Sequence, residues 1–158
     1  MSIRPDVTAT WIYRLDEGGG LEILLIRRSP GQTYPGIWQC VTGKIESGES
    51  IVDGALRELV EEAGIGPADL EAFYQLDQLN WFHVAGVDAM LSEAVFAGRL
   101  RSGIDVTLSH EHDALQWVGP DAACELVPWP AYERAIRSVE WLEDHPGKAA
   151  AFRLSLSD

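Results

Sequence analysis

The sequence predicts an α/β fold, a mixed β-sheet covered by helices, in a single domain of residues 1–158. Three observations predict it. Runs rich in branched and aromatic residues recur along the chain, beginning with Val7–Leu15 and Leu21–Arg28. Two other segments, 50–63 and Pro130–Asp144, place their apolar residues at helical spacing instead. These two kinds of segment alternate without a linker, internal repeat or low-complexity stretch, the order expected of a sheet packed against helices.

Taken in order, VTATWIYRL and LEILLIRR read as two strands, and DEGGG between them supplies the turn of a hairpin. Residues 29–36 form a loop punctuated by Pro30 and Pro35, and 37–43 (IWQCVTG) read as one short strand entering a turn. The helix over 50–63 begins at Ser50, a capping residue, with Asp53 as a weak capping-box partner. Gly64 follows it where a left-handed cap is common. Further strands are read at 70–79, Ala89–Leu100 and 114–118. The last helix, Pro130–Asp144, follows Pro128 and precedes Pro146, with Ala135, Ile136, Val139 and Leu142 on one stripe. No structure is assigned to the tail from Ala149 onward.

At 158 residues and 46% apolar composition, the chain suits one domain with a full core. It has no run of the roughly 20 apolar residues that a membrane helix needs. MSIRPDVTAT lacks an apolar signal core and a small-residue cleavage site, so a cytoplasmic protein is expected, with Cys40 and Cys124 reduced. The 25 acidic residues against 12 basic ones give a net charge of -13, which argues against a nucleic-acid partner. Such an excess is either a solvated surface or, in part, a set of ligands for divalent cations.

The acids concentrate in RELVEEAGI, where Glu58, Glu61 and Glu62 crowd one turn and a half of helix. On a wheel advancing about 100° per residue, Val52, Ala55, Leu56, Leu59 and Ala63 form the core stripe. The three glutamates fan across the face turned away from it. Glu58 and Glu62 stand one turn apart, where like charges cost a few tenths of a kcal/mol. A divalent cation reverses the sign of that interaction, because carboxylate oxygens suit Mg²⁺. Gly54 lies on the same face and costs about 1 kcal/mol relative to alanine. It either clears room for a ligand or neighbouring loop, or is simply tolerated.

The surrounding stretch, GKIESGESIVDGALRELVEEAGI from Gly43, resembles the signature of the Nudix hydrolases. Gly43, Glu49, Arg57, Glu58, Leu59, Glu61, Glu62, Gly64 and Ile65 all agree with it. A chance match of that kind is on the order of one in a million or less. The resemblance implies a Nudix-type α/β/α sandwich with a mixed β-sheet between helices. It implies Mg²⁺ or Mn²⁺ as cofactor, with Glu58 and Glu62 as metal ligands. Glu61 would be a further ligand or the base that activates water, and the Gly43 carbonyl another donor. Glu49 and Arg57 would brace the loop against the helix, with Gly64 closing it. The reaction implied is hydrolysis of a phosphoanhydride bond, and a homodimer is compatible with the resemblance.

IWQCVTGKIESGE and LSHEHDALQWVGPDAACELVPWPAYERAI are similar to bacterial pyrophosphohydrolases acting on dihydroneopterin triphosphate and dATP. That similarity implies a small-molecule nucleoside or pterin triphosphate as substrate, cleaved to the monophosphate and pyrophosphate. A dinucleoside polyphosphate or ADP-ribose is the alternative, as is a nucleotide-sensing domain without turnover. Outside the motif, Glu111 in the HEH segment is a second catalytic candidate, as metal ligand or base, or else a loop acid. His110 and His112 either touch phosphate or cap that loop. One of Arg27 and Arg28 is expected to reach a phosphate, since guanidinium suits oxyanions. Gln39 and Lys44 are candidates for base or phosphate contact. Trp38 and Trp81 either stack on a heterocycle or belong to the core.

Overall fold

The structure, a computed structural model, describes residues 2–156. Its frame is one seven-stranded mixed sheet, and the way its first two strands part company decides where the site lies. Strand β1 (Val7–Leu15) and β2 (Leu21–Arg28) form the expected hairpin, paired antiparallel from Tyr13↔Ile23 to Leu15↔Leu21. Beyond that the two strands diverge. The first half of β1 pairs with β4 (Val41–Lys44), and the far end of β2 pairs with β3 (Trp38–Gln39). The run 37–43 therefore is not one strand but two, each following a different partner, with Cys40 as the crossing point. Propensity registers a β-rich run but not a change of partner.

On its other edge β1 pairs in parallel with β6 (Ala89–Leu100), which pairs antiparallel with β5 (Leu70–Val84). β5 runs five residues past the expected end at Leu79, because its extension zips onto β6 as far as Val84↔Ala89. The last strand, β7 (His112–Val118), lies antiparallel to β2 and starts two residues before the expected 114. His112 is thereby a buried strand residue and not part of the loop in which the sequence suggested it.

Both faces of the sheet are covered, as period-two alternation in the strands requires. Ala9, Trp11, Tyr13, Ile23, Leu25, Val95 and Ala97 face the helix α3 (Pro130–Asp144), whose stripe Ala135, Ile136, Val139 and Leu142 is buried against them. Ile12, Leu24, Ile26 and Phe96 face the other way, onto Ala55, Leu59 and Ala63 of helix α1 (Ile51–Ala63). This is the α/β/α layering expected from the sequence. The structure adds α2 (Pro120–Leu126), a seven-residue helix too short to show a clear period, and the single turn α4 (Pro146–Ala149).

Helix α1 is placed by its ends. The Ser50 hydroxyl accepts the Asp53 backbone N–H at 3.0 Å. Gly64 closes the other end in the left-handed region (φ 66) and donates its N–H to the last turn. A Cβ on Gly64 would lie 3.3 Å from the Thr107 side chain. Thr107 and Ser109 in turn donate their backbone N–H groups to the Ala63 and Glu62 carbonyls, so the 107–109 segment satisfies the helix C-terminus. Two features of α1 depart from the helical wheel. Val52 and Leu56 are only partly covered, and Gly54 and Glu62, assigned to the outward face, are buried. Neighbouring loops wrap that face, and a wheel of one helix contains no information about them.

Gly64→Ala combines the left-handed penalty with crowding against Thr107. It is expected to lower unfolding free energy by about 1–2 kcal/mol, read as a shift in the urea midpoint at unchanged slope.

Candidate active site

Where β1 and β2 separate, the sheet opens into a cavity of about 610 Å³. Its lining comes from the ends of the strands, from α1, from the loop after β2 and from the entry to α3. Gly43, Glu58, Glu61 and Glu62 form one wall. Arg28, Gln39, Lys44 and Glu111 lie along the cavity as well. Tyr34, Phe82, Trp129 and Tyr132 supply aromatic surface, and Glu93 adds one more acid.

Gly43 is where the acidic wall is made. A Cβ there would overlap the Glu58 side chain, so only glycine lets the carboxylate of Glu58 lie against β4. Glu58 is consequently well covered, and burial raises its pKa despite the nearby Arg57. Gly54 has a matching role. A Cβ on it would sit 3.0 Å from Glu49 Oε1 and close to Ile45, so it makes room for the incoming loop.

Arg57 joins that loop to the helix. Its Nε donates to Glu49 Oε2 at 3.0 Å and its Nη2 to Glu49 Oε1 at 2.8 Å, a two-point grip. Nη2 also donates to the Lys44 carbonyl at 2.8 Å, and Nη1 donates to Glu58 at 2.8 Å and Glu61 at 3.2 Å. Glu49 Oε1 accepts the Glu46 backbone N–H at 2.7 Å as well. The guanidinium, followed by that N–H, holds the Glu49 carboxyl down at about 2.

Glu62 is fixed differently. The Ser109 hydroxyl donates to its Oε2 at 2.7 Å. His112 Nδ1 lies 3.3 Å from the same oxygen, while Gln39 Nε2 donates to His112 Nε2 at 2.8 Å. That arrangement puts the ring proton on Nδ1, facing Glu62 but poorly aligned for a full hydrogen bond. Burial lowers the His112 pKa to about 4, so at neutral pH this is an imidazole dipole beside a carboxylate and not an ion pair.

Three carboxylates gathered beside Gly43 in one cavity are a hard, oxygen-rich donor set, the kind that suits Mg²⁺ or Mn²⁺. Among the described residues, no three His, Cys, Asp or Glu side chains already converge as a finished metal site. Glu58 and Glu61 lean on Arg57 instead. A cation would take over oxygens that now accept from the guanidinium.

The structure thus brings Arg28, Gln39, Gly43, Lys44, Glu58, Glu61, Glu62 and Glu111 to one cavity. Arg28 is anchored by the Thr33 carbonyl at 3.0 Å and stands 3.9 Å from Glu111. Arg27 and Trp81 are not brought there. Successive strand residues point to opposite faces, so Arg27 turns away from Arg28, pairs with Asp113 at 2.8 Å and covers Trp38. Trp81 is 48% exposed on β5, outside the cavity lining, where its neighbour Phe82 lies instead. The sequence reading missed Tyr34, Phe82, Glu93, Trp129, Tyr132 and Ser109. A glutamate standing directly before the apolar stretch 94–98 of β6 was the one available signal for Glu93.

The family model for the NUDIX domain matches residues 5–142. An asymmetrical bis(5'-nucleosyl)-tetraphosphatase from Sus scrofa is 36% identical over 110 residues, covering 67% of this chain and 69% of that protein. An octanoyltransferase from Myxococcus xanthus is 33% identical over 125 residues, but the chain spans only 32% of its length. The solved dihydroneopterin triphosphate pyrophosphohydrolase of E. coli superposes with a TM-score of 0.70 at 26% identity, over 85% of this chain and 93% of that one. The chain belongs to the NUDIX family and is a Nudix hydrolase, acting on phosphoanhydride bonds.

The Glu49–Arg57 grip carries a pH signature. A carboxyl held below its unfolded value of about 4.3 stabilises the fold above that pH. The contribution is lost as pH falls through about 2. Glu49→Gln is therefore expected to be less stable than the parent at pH 7, with the gap in thermal midpoint closing between about pH 4 and pH 2.

Proposed function

We propose that the protein is a Mg²⁺- or Mn²⁺-dependent pyrophosphohydrolase that cleaves a nucleoside or pterin triphosphate to the monophosphate and pyrophosphate. One observation carries the reading. A single cavity is lined by carboxylates, two cationic side chains and several aromatic rings. A triphosphate ester of a heterocyclic alcohol, charged at one end and flat at the other, offers a group to each kind. The similarity to the E. coli dihydroneopterin triphosphate enzyme supports the same substrate class.

In this reading Glu58, Glu62 and the Gly43 carbonyl would hold the cation, with Glu61 either a further ligand or the base. A bound divalent cation supplies charge neutralisation and Lewis acidity toward phosphate oxygens. The chain's own residues do the rest. Arg28 and Lys44 take phosphate oxygens that an acidic protein would otherwise repel. Tyr34 and Trp129, packed edge to face at 5.4 Å, form one aromatic surface for the heterocycle to lie against. A water oxygen attacks phosphorus, the bridging P–O bond breaks, and the leaving oxygen departs with pyrophosphate. The water's proton passes to a carboxylate. Glu111, beside Arg28, and Glu61, the most exposed acid of the α1 trio, are the two candidates to accept it. Ser109 and His112 hold one oxygen of Glu62 and leave the other for the cation, the orienting role that outer-sphere groups play in metal sites.

A second reading, hydrolysis of a dinucleoside polyphosphate, rests on the 36% identity to the Sus scrofa tetraphosphatase. Product analysis separates the two. With Mg²⁺, pyrophosphate released from nucleoside or dihydroneopterin triphosphates supports the first. A nucleoside monophosphate released from diadenosine tetraphosphate, with the triphosphates untouched, supports the second.

Glu58→Gln and Glu62→Gln are each expected to lower turnover by several hundredfold or more, on the order of magnitude of a lost metal ligand, in proteins with parental circular dichroism. Near-parental rates in both would remove the role given to α1. Ser109→Ala is expected to raise the Mg²⁺ concentration for half-maximal activity by about 10- to 100-fold.

A further inference from the structure

On the same face of the sheet as Phe82 and Leu91, within the cavity, lies a carboxylate that the proposed hydrolysis does not use. Glu93, on β6, is 4% exposed, yet it reaches the cavity lining. Its cross-strand partner on β5 is Asn80, 5% exposed, whose Nδ2 donates to Glu93 Oε1 at 2.9 Å. Asn80 cannot turn its amide over, because its Oδ1 already accepts Gln78 Nε2 at 2.8 Å. Gln78 is itself tied to the Ala131 carbonyl, at the start of α3, at 2.9 Å. The relay from α3 through Gln78 and Asn80 fixes one oxygen of Glu93. The other oxygen makes no hydrogen bond among the described residues.

Burial disfavours a carboxylate unless hydrogen-bond donors meet it. Asn80 supplies one donor, and no cationic side chain pairs with Glu93 among the described residues. The walls beside it, Tyr132, Phe82 and Leu91, are apolar surface suited to a flat ring. A flat ligand entering this slot meets the free oxygen of Glu93 and the second lone pair of Oε1, acceptors only, so the matching edge carries two adjacent N–H donors. A 2-amino-4-oxopyrimidine edge, with its ring N–H beside an exocyclic amine, has that pattern. Guanine and pterin share it. Adenine offers an amine beside a ring acceptor, which would face a carboxylate oxygen with a lone pair.

We infer that Glu93, oriented by Asn80, is the specificity-determining residue of the heterocycle slot and reads the 2-amino-4-oxopyrimidine edge of a guanine nucleotide or a pterin. The inference rests on the substrate class proposed above and narrows it.

The test separates the two claims by reading binding without turnover. Guanosine, inosine and adenosine 5'-monophosphates and 7,8-dihydroneopterin are titrated calorimetrically into the full chain, then into Glu93→Gln, in the absence of divalent cation. Inosine lacks only the 2-amino group. A site built to bond that group rejects the analogue without it. Guanosine monophosphate is expected to bind at least tenfold more tightly than the inosine and adenosine compounds. Glu93→Gln is expected to reduce that preference to threefold or less while its thermal midpoint stays near the parental value. Dihydroneopterin binding more tightly than guanosine monophosphate assigns the slot to pterins, and the reverse order assigns it to guanine nucleotides. Equal affinities, tighter binding of adenosine monophosphate, no binding by any of the four, or a preference unchanged in Glu93→Gln would overturn the inference. The inosine comparison in the parental protein holds even where Glu93→Gln fails to fold. Discrimination in binding without hydrolysis of any triphosphate would sink the proposed reaction and leave the slot standing. Hydrolysis without discrimination would do the reverse.

Discussion

Arg57 is the joint on which the site depends. Its guanidinium lies between the loop after β4 and helix α1. It grips Glu49 with two N–H groups, takes the Lys44 carbonyl, and touches Glu58 and Glu61. Isolated surface ion pairs contribute little to stability. This one differs because it is bidentate, networked and seated where the chain must turn from β4 toward α1. It does two things at once. It keeps the strand end bearing Gly43 against the helix bearing the acids, and it holds like-charged side chains together. The crowding of Glu58, Glu61 and Glu62 is therefore stable as it stands, which a bare acidic helix face would not be.

The two glycines in this region are part of the same constraint. Gly43 admits Glu58 and Gly54 admits Glu49, each because a Cβ would occupy the space of a carboxylate. The acids thus lie in the seam between strand and helix and not on an outer surface. That seam opens onto a cavity because β1 and β2 part and take different neighbours. Topology thereby brings oxygen donors and aromatic rings from the 29–36 loop and the α3 entry to one cavity.

Much of this was legible in the sequence, and the boundary between legible and hidden is physical. Val7–Leu15, Leu21–Arg28, Ala89–Leu100 and Pro130–Asp144 are found where composition and period put them. Each is long enough for its pattern to outweigh local noise. The motif residues gather because they lie within one turn, strand and helix, so spacing along the chain fixes proximity in space. What stayed hidden depends on contacts between distant segments. The split at Cys40, the burial of Glu62 and the cavity position of Glu93 are products of β-pairing and loop wrapping. Arg27 and Arg28 illustrate the limit: both looked equivalent at a strand end, and only the direction of one pleat separates them. Trp81 and Phe82 repeat the lesson on β5.

The central claim is that the α1 acids and Gly43 form the seat of a divalent cation. An electron paramagnetic resonance titration with Mn²⁺ tests it most directly, because the signal of the free aqueous ion is lost on binding and no turnover is needed. The parental chain is expected to remove that signal saturably, and a Glu58→Gln, Glu62→Gln double variant of parental fold to leave it nearly untouched. Equal Mn²⁺ uptake by the two proteins, or none by the parent, would contradict the account.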